Sequence, residues 1–121
     1  MKAGEERSSG DDGVMVSACA TETLLRLVVE GELDLGSGRH WREAVLPMLE
    51  PPCPTQVDVD LTGVAFMDST GLGLLVNLRQ WSESNSVALR LLNVPRNVLR
   101  VLDYSGVTPL FEISAAQLEP D

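Results

Sequence analysis

The sequence is short of the residue types that most often announce a chemistry. It holds only two cysteines, Cys19 and Cys53, with no C-x-x-C spacing and no histidine cluster beside them. The disulfide framework of a small secreted domain needs more, so two reduced thiols in a cytoplasmic protein are expected. The single histidine is His40. Metal sites need several convergent ligands, so neither a metal nor another cofactor is expected. Basic charge is scarce as well: one lysine and eight arginines stand against eighteen acids, for a net charge of -9. That balance argues against a nucleic-acid binder, which clusters Lys and Arg on one face, and against attachment to an anionic membrane surface. No run approaches 18 uninterrupted apolar residues, so no membrane-spanning helix is expected. Met1 to Arg7 lacks the apolar segment of a signal peptide.

What is present suits one small α/β domain. A chain of 121 residues is one domain in length, and 44% of them are hydrophobic, as in ordinary globular proteins. Six of residues 1–13 are charged, too little apolar surface to offset ordering entropy, so a disordered acidic lead is expected there. The folded domain is expected over 14–114, with a short polar tail over 115–121. Val14 to Ala20 and Thr23 to Glu30 read as two strands joined as a hairpin, and Gly31 to Gly36 as a loop with two acids. Ser37 is placed to cap a helix to about Leu49, with Trp41, Val45, Met48 and Leu49 on one face and Pro47 shortening it. Gln56 to Leu61 is the clearest strand: Val57, Val59 and Leu61 alternate with Asp58 and Asp60, predicting one apolar and one wet face. Thr62 to Asp68 reads as a connection, Ser69 to Ser82 as a helix, Val87 to Val94 as a strand, Pro95 to Asp103 as a helix, and Leu110 to Ile113 as a short last strand. Strands alternating with helices imply parallel neighbours and right-handed crossovers.

The run with chemical content is Phe66-Met67-Asp68-Ser69-Thr70-Gly71-Leu72-Gly73-Leu74, at a strand–helix junction. Asp68 or Ser69 is the N-cap, and the following residues offer backbone N–H groups to an anion. Gly71 and Gly73 allow close approach of a phosphate or a partner, or close packing of the helix on the sheet. The run is not a P-loop, since no Lys-Ser or Lys-Thr follows, and it lacks the spacing of a dinucleotide fingerprint. A hydrolase built on Ser69 would need a base, and His40 fits no nucleophile context such as G-x-S-x-G.

Gly31-Glu32-Leu33-Asp34 after a strand, followed by Met67-Asp68-Ser69-Thr70-Gly71-Leu72-Gly73 at a strand–helix junction, resembles the STAS domain, and within it the bacterial anti-sigma factor antagonists. The resemblance implies a single mixed β-sheet of about four to five strands with interspersed helices. It implies a protein that is not an enzyme, that binds an anti-sigma factor serine kinase when unphosphorylated to release a sigma factor, and that is switched off by phosphorylation of Ser69. A PP2C-type phosphatase would reset it. In this scheme Asp34 lies beside Ser69 and helps to dock the kinase, Asp68 caps or positions the serine, and Thr70 is a second hydroxyl. Gly71 and Gly73 keep the contact surface low, and Leu72 serves as a partner contact or in core packing. The alternative is a STAS regulatory subunit of a stress complex or of a membrane transporter.

Overall fold

Strand alternation sets the architecture. In β2 (Val14–Ala20), Val14, Val16 and Ala18 are buried while Met15 and Cys19 face outward. In β3 (Leu24–Leu33), Leu25, Leu27 and Val29 take the same inner face. The structure, a computed structural model, describes residues 5–11 through their backbone and residues 13–115 in full. Its six strands form one sheet in chain order, beginning with β1 (Glu5–Asp11) and continuing with β4 (Gln56–Met67), β5 (Ala88–Val94) and β6 (Glu112–Ala115). The β1–β2 and β2–β3 pairs are antiparallel, and the remaining three are parallel. Each parallel connection carries a helix: α1 (Gly38–Val45), α2 (Ser69–Ser84) and α3 (Arg96–Tyr104).

Trp41 and Val45 of α1, Leu74, Leu75 and Leu78 of α2, and Val98 and Leu102 of α3 join the inner strand residues in one continuous core. Burial of this kind contributes on the order of 25 cal/mol per Å² of apolar surface, which fixes the helices to that face of the sheet. Among the described residues no helix is long and apolar enough to cross a membrane.

The mixed sheet and the alternation of strand and helix are as expected, and several details differ. The expected disordered lead contains β1, whose backbone pairs with β2 from Glu5 opposite Ala20 to Asp11 opposite Val14. This makes the sheet six-stranded, because β2 otherwise presents an open edge that templates pairing. Residues 1–4 and most of the expected tail, 116–121, lie outside the described residues. The expected loop at Gly31 and the expected connection after Leu61 are both strand. There β3 and β4 continue as partners, Gly31 with Val64, Glu32 with Phe66 and Leu33 with Met67, across two register shifts. Gly31 sits at φ +101°, and a Cβ there would meet the Gly13 carbonyl oxygen at 2.1 Å. Only glycine tolerates both conditions. The first helix is shorter than expected: α1 stops at Val45, and a 3-10 turn, Leu46–Leu49, follows around Pro47.

On the face of β4 opposite the helices, the two acids expected to be wet are covered. Asp58 and Asp60 are only 2% and 7% exposed. Arg90 donates to Asp58 from Nε (3.0 Å) and Nη2 (2.8 Å), and Gln56 adds a third bond (2.8 Å). Asp60 accepts from Arg26 (2.8 Å), Asn93 (3.1 Å), and the Thr62 hydroxyl (2.6 Å) and N–H (2.9 Å). Burial pushes both carboxyls up, and these hydrogen bonds with the arginine charges outweigh it, so both pKa values lie below the ordinary carboxylate range.

Candidate functional site

The ends of two parallel strands bring the two sequence motifs together. Leu33 and Met67 are register partners, so Asp34 and Asp68 leave adjacent strands side by side. The Asp68 N–H donates to the Leu33 carbonyl at 3.2 Å and ties the two exits to each other. Beyond them, the loop into α1 and the first turn of α2 touch where Gly38 faces the Thr70 methyl.

On the α2 side, Asp68 is the N-cap. Its backbone is extended (φ -113°, ψ -167°), and its Oδ1 accepts from the N–H groups of Thr70 (2.8 Å) and Gly71 (3.2 Å). The Asp68 carbonyl takes the Leu72 N–H at 3.0 Å. The first-turn donors of α2 are thus largely committed to Asp68, and the helix start is not the open anion cradle that the sequence suggested. Ser69 is exposed, and its hydroxyl makes no hydrogen bond among the described residues. Thr70 is half-buried. The two hydroxyls therefore differ in access, with Ser69 the more exposed.

Gly71 is buried, and a Cβ there would meet the Leu33 carbonyl oxygen at 2.2 Å and the Met67 Cγ at 2.7 Å. Its missing side chain lets α2 seat on the end of β3. Gly73 has nothing within 4 Å of an added Cβ, so sheet packing does not account for it. Leu72 is half-buried and packs against the core.

On the other side, Asp34 is held in a tight turn. Its Oδ1 accepts the Ser37 N–H at 3.0 Å, and its own N–H donates to the Ser37 hydroxyl at 3.0 Å. That hydroxyl in turn donates to the Glu32 carbonyl at 2.7 Å. Ser37 was expected as a helix cap. It stands at the N-cap position without a side-chain cap bond, and is instead fully buried as the brace of the Asp34 turn.

Four residues were given no role from the sequence, although Phe66 stood in the run with chemical content. Leu35 (79% exposed) follows Asp34, and Phe66 (50% exposed) precedes Met67. Arg100 and Tyr104 of α3 wall an open groove of about 700 Å³ that also contains Asp68 and Ser69. The signal for Phe66 is its place beside the buried Met67 on an alternating strand. For Arg100 and Tyr104 it is their i, i+4 spacing off the Val98–Leu102 apolar face. Among the described residues no group of three His, Cys, Asp or Glu could hold a metal ion.

Comparison with known proteins gives relatives in sequence and in fold. An anti-sigma-B factor antagonist of Bacillus subtilis (strain 168) is 28% identical over 102 residues, which is 84% of this chain and 92% of that protein. The structure of the anti-sigma factor antagonist SpoIIAA in its unphosphorylated form superposes with a TM-score of 0.67 at 21% identity, covering 92% of this chain and 89% of that one. The Bacillus cell fate determinant SpoIIAA in the phosphorylated form gives a TM-score of 0.62 at 20% identity, with 92% of both chains covered. The profile of the STAS domain matches residues 16–118, and the chain belongs to the STAS domain family.

Proposed function

We propose that this protein is an anti-sigma factor antagonist regulated by phosphorylation of Ser69. Unphosphorylated, it binds an anti-sigma factor that is also a serine kinase, and the sigma factor held by that kinase is released. The kinase transfers the γ-phosphoryl group of ATP to Ser69 Oγ, ADP leaves, and the hydroxyl proton passes to a base on the kinase. A PP2C-type phosphatase removes the phosphate and restores binding. The protein is the substrate in this cycle and performs no catalysis.

The observation that carries this reading is the Ser69 hydroxyl: exposed, without a hydrogen-bond partner among the described residues, and held in place by the Asp68 cap beside Asp34. A kinase needs an accessible, fixed hydroxyl, and the neighbouring Thr70 is less accessible. The name of the Bacillus subtilis relative and the likeness to SpoIIAA in two phosphorylation states support the same reading.

The switch is local electrostatics. A phosphate adds about -1.5 to -2 charges and three acceptor oxygens. With the Thr70 and Gly71 N–H groups already bound to Asp68, the phosphate stays in the exposed groove, where its bulk and negative charge disrupt docking while the fold is kept intact. Incubation with the cognate kinase and ATP should place one phosphate on the chain, mapped to Ser69 by mass spectrometry. Ser69→Ala should take up none, and stoichiometric phosphate on that variant would sink the assignment.

A further inference from the structure

We propose that Arg100 of α3 captures the phosphate of phosphorylated Ser69 in cis. The inference rests on the phosphorylation of Ser69 proposed above and names its partner within the chain. Ser69 and Arg100 line the same open groove. Arg100 is exposed and makes no hydrogen bond or ion pair among the described residues. Of the other described arginines, Arg26, Arg39, Arg79 and Arg90 are each engaged by a carboxylate, whereas Arg42 and Arg96 are not and do not line this groove. A guanidinium presents a planar fork of donors that matches phosphate oxygens two at a time.

The usual alternative for a phosphate at a helix start is the free backbone N–H groups. Here Asp68 holds those of Thr70, Gly71 and Leu72, which weakens that alternative and favours a side-chain cation. Arg42 competes for the role: its guanidinium lies near Gly38, which also faces Thr70, but it belongs to the groove between α1 and α2. The charges facing the phosphate from other elements are acidic. Asp68 and Asp103 line the groove, Asp103 accepting from the Thr108 hydroxyl, and Asp34 stands on the neighbouring strand exit. All three carboxylates disfavour the dianionic phosphate, and Arg100 opposes them. Capture would also neutralise the groove's arginine, so phosphorylation removes a positive contact from the docking face while adding negative charge.

Phosphoserine can be installed at position 69 of the full chain by genetic encoding, and its second ionisation followed by 31P NMR. For free phosphoserine it lies near pH 6. Arg100→Gln should raise the ionisation of the phosphoprotein by about 0.5 pH unit or more, Arg100→Lys should raise it less, and Arg42→Gln should leave it in place. Arg100 is exposed, so unphosphorylated Arg100→Gln should melt with the parent chain, which separates lost pairing from lost folding. An ionisation that does not rise in Arg100→Gln, or that rises only in Arg42→Gln, overturns the proposal. No kinase enters this measurement. Failure of the kinase to modify Ser69 would therefore overturn the switch and leave the pairing standing, and the converse holds.

Discussion

At the residue scale, the two glycines of the Asp68–Gly73 run look alike in sequence and do different work. Gly71 exists because the Leu33 carbonyl would lie 2.2 Å from a Cβ. Gly73 faces open space inside a helix, where glycine costs up to about 1 kcal/mol relative to alanine. Gly71→Ala should therefore destabilise the fold by about 1–3 kcal/mol, the usual cost of forcing extra atoms into a packed contact. Gly73→Ala should stabilise it by up to about 1 kcal/mol. Urea denaturation of the two variants checks both signs, and two shifts in the same direction would refute this division of roles. If Gly73 keeps the docking face low, Gly73→Ala will also bind the anti-sigma factor more weakly while being more stable, a separation that a packing role would not produce. The motif was legible as a strand–helix junction with a cap. Which glycine served packing was not, because the answer lies in the Leu33 carbonyl, on a strand far away in sequence.

At the scale of the element, β4 shows where alternation informs and where it misleads. Val57, Val59 and Leu61 fixed the strand and its inner face, and all three are fully buried. The same alternation suggested a wet outer face, because Asp58 and Asp60 are ordinary surface residues by type. What buries them is register: Arg26 and Arg90 lie on the strands to either side and are the partners of Asp58 in the ladder, with Arg26 reaching diagonally to Asp60. Neighbouring strands are not visible from within one strand, and nor was the extension of β4 to Met67, which depends on pairing with the bulged end of β3. The buried acids make stability depend on pH with a definite sign. Their folded pKa values are lowered, whereas in the unfolded chain a carboxyl titrates near 3.9. The stabilisation is therefore fully present above about pH 4 and is lost as pH falls through the lowered folded values. Denaturation curves from pH 7 downward should show constant stability and then a fall on the acid side. Asp60→Ala strands the donors of Arg26, Thr62 and Asn93; it should lose about 1–3 kcal/mol at pH 7 and show a shallower acid fall. An unchanged acid slope in that variant would mean that Asp60 is not one of the groups responsible.

At the scale of the whole molecule, the sheet order explains why the candidate recognition residues gather at one end of the protein. Parallel strands β3 and β4 deliver Asp34 and Asp68 to the same end of the sheet, and α3, crossing from β5 to β6, adds Arg100 and Tyr104 beside Ser69. The pairing of the first two was legible through resemblance to the STAS domain; the contribution of α3 was not, because it depends on how a later crossover packs. The net charge of -9 gives this end its meaning for a partner. In the complex proposed above, a partner docked over Asp34, Asp68 and Asp103 would present positive charge to them, and Ser69, which lies among them, would carry its added negative charge near the centre of that contact. Charge pairs at such centres act strongly on affinity, whereas rim charges mostly alter association rate. Ser69→Asp should therefore weaken anti-sigma factor binding at least tenfold, about 1.4 kcal/mol, with most of the loss in the dissociation rate. Its thermal unfolding should stay cooperative and close to that of the parent chain, because Ser69 is exposed and the Asp68 cap bonds do not involve its side chain. Surface plasmon resonance paired with calorimetric melting separates the two effects. Wild-type affinity in Ser69→Asp would remove the electrostatic basis of the switch, and a melting transition that broadens or collapses would replace it with one based on unfolding.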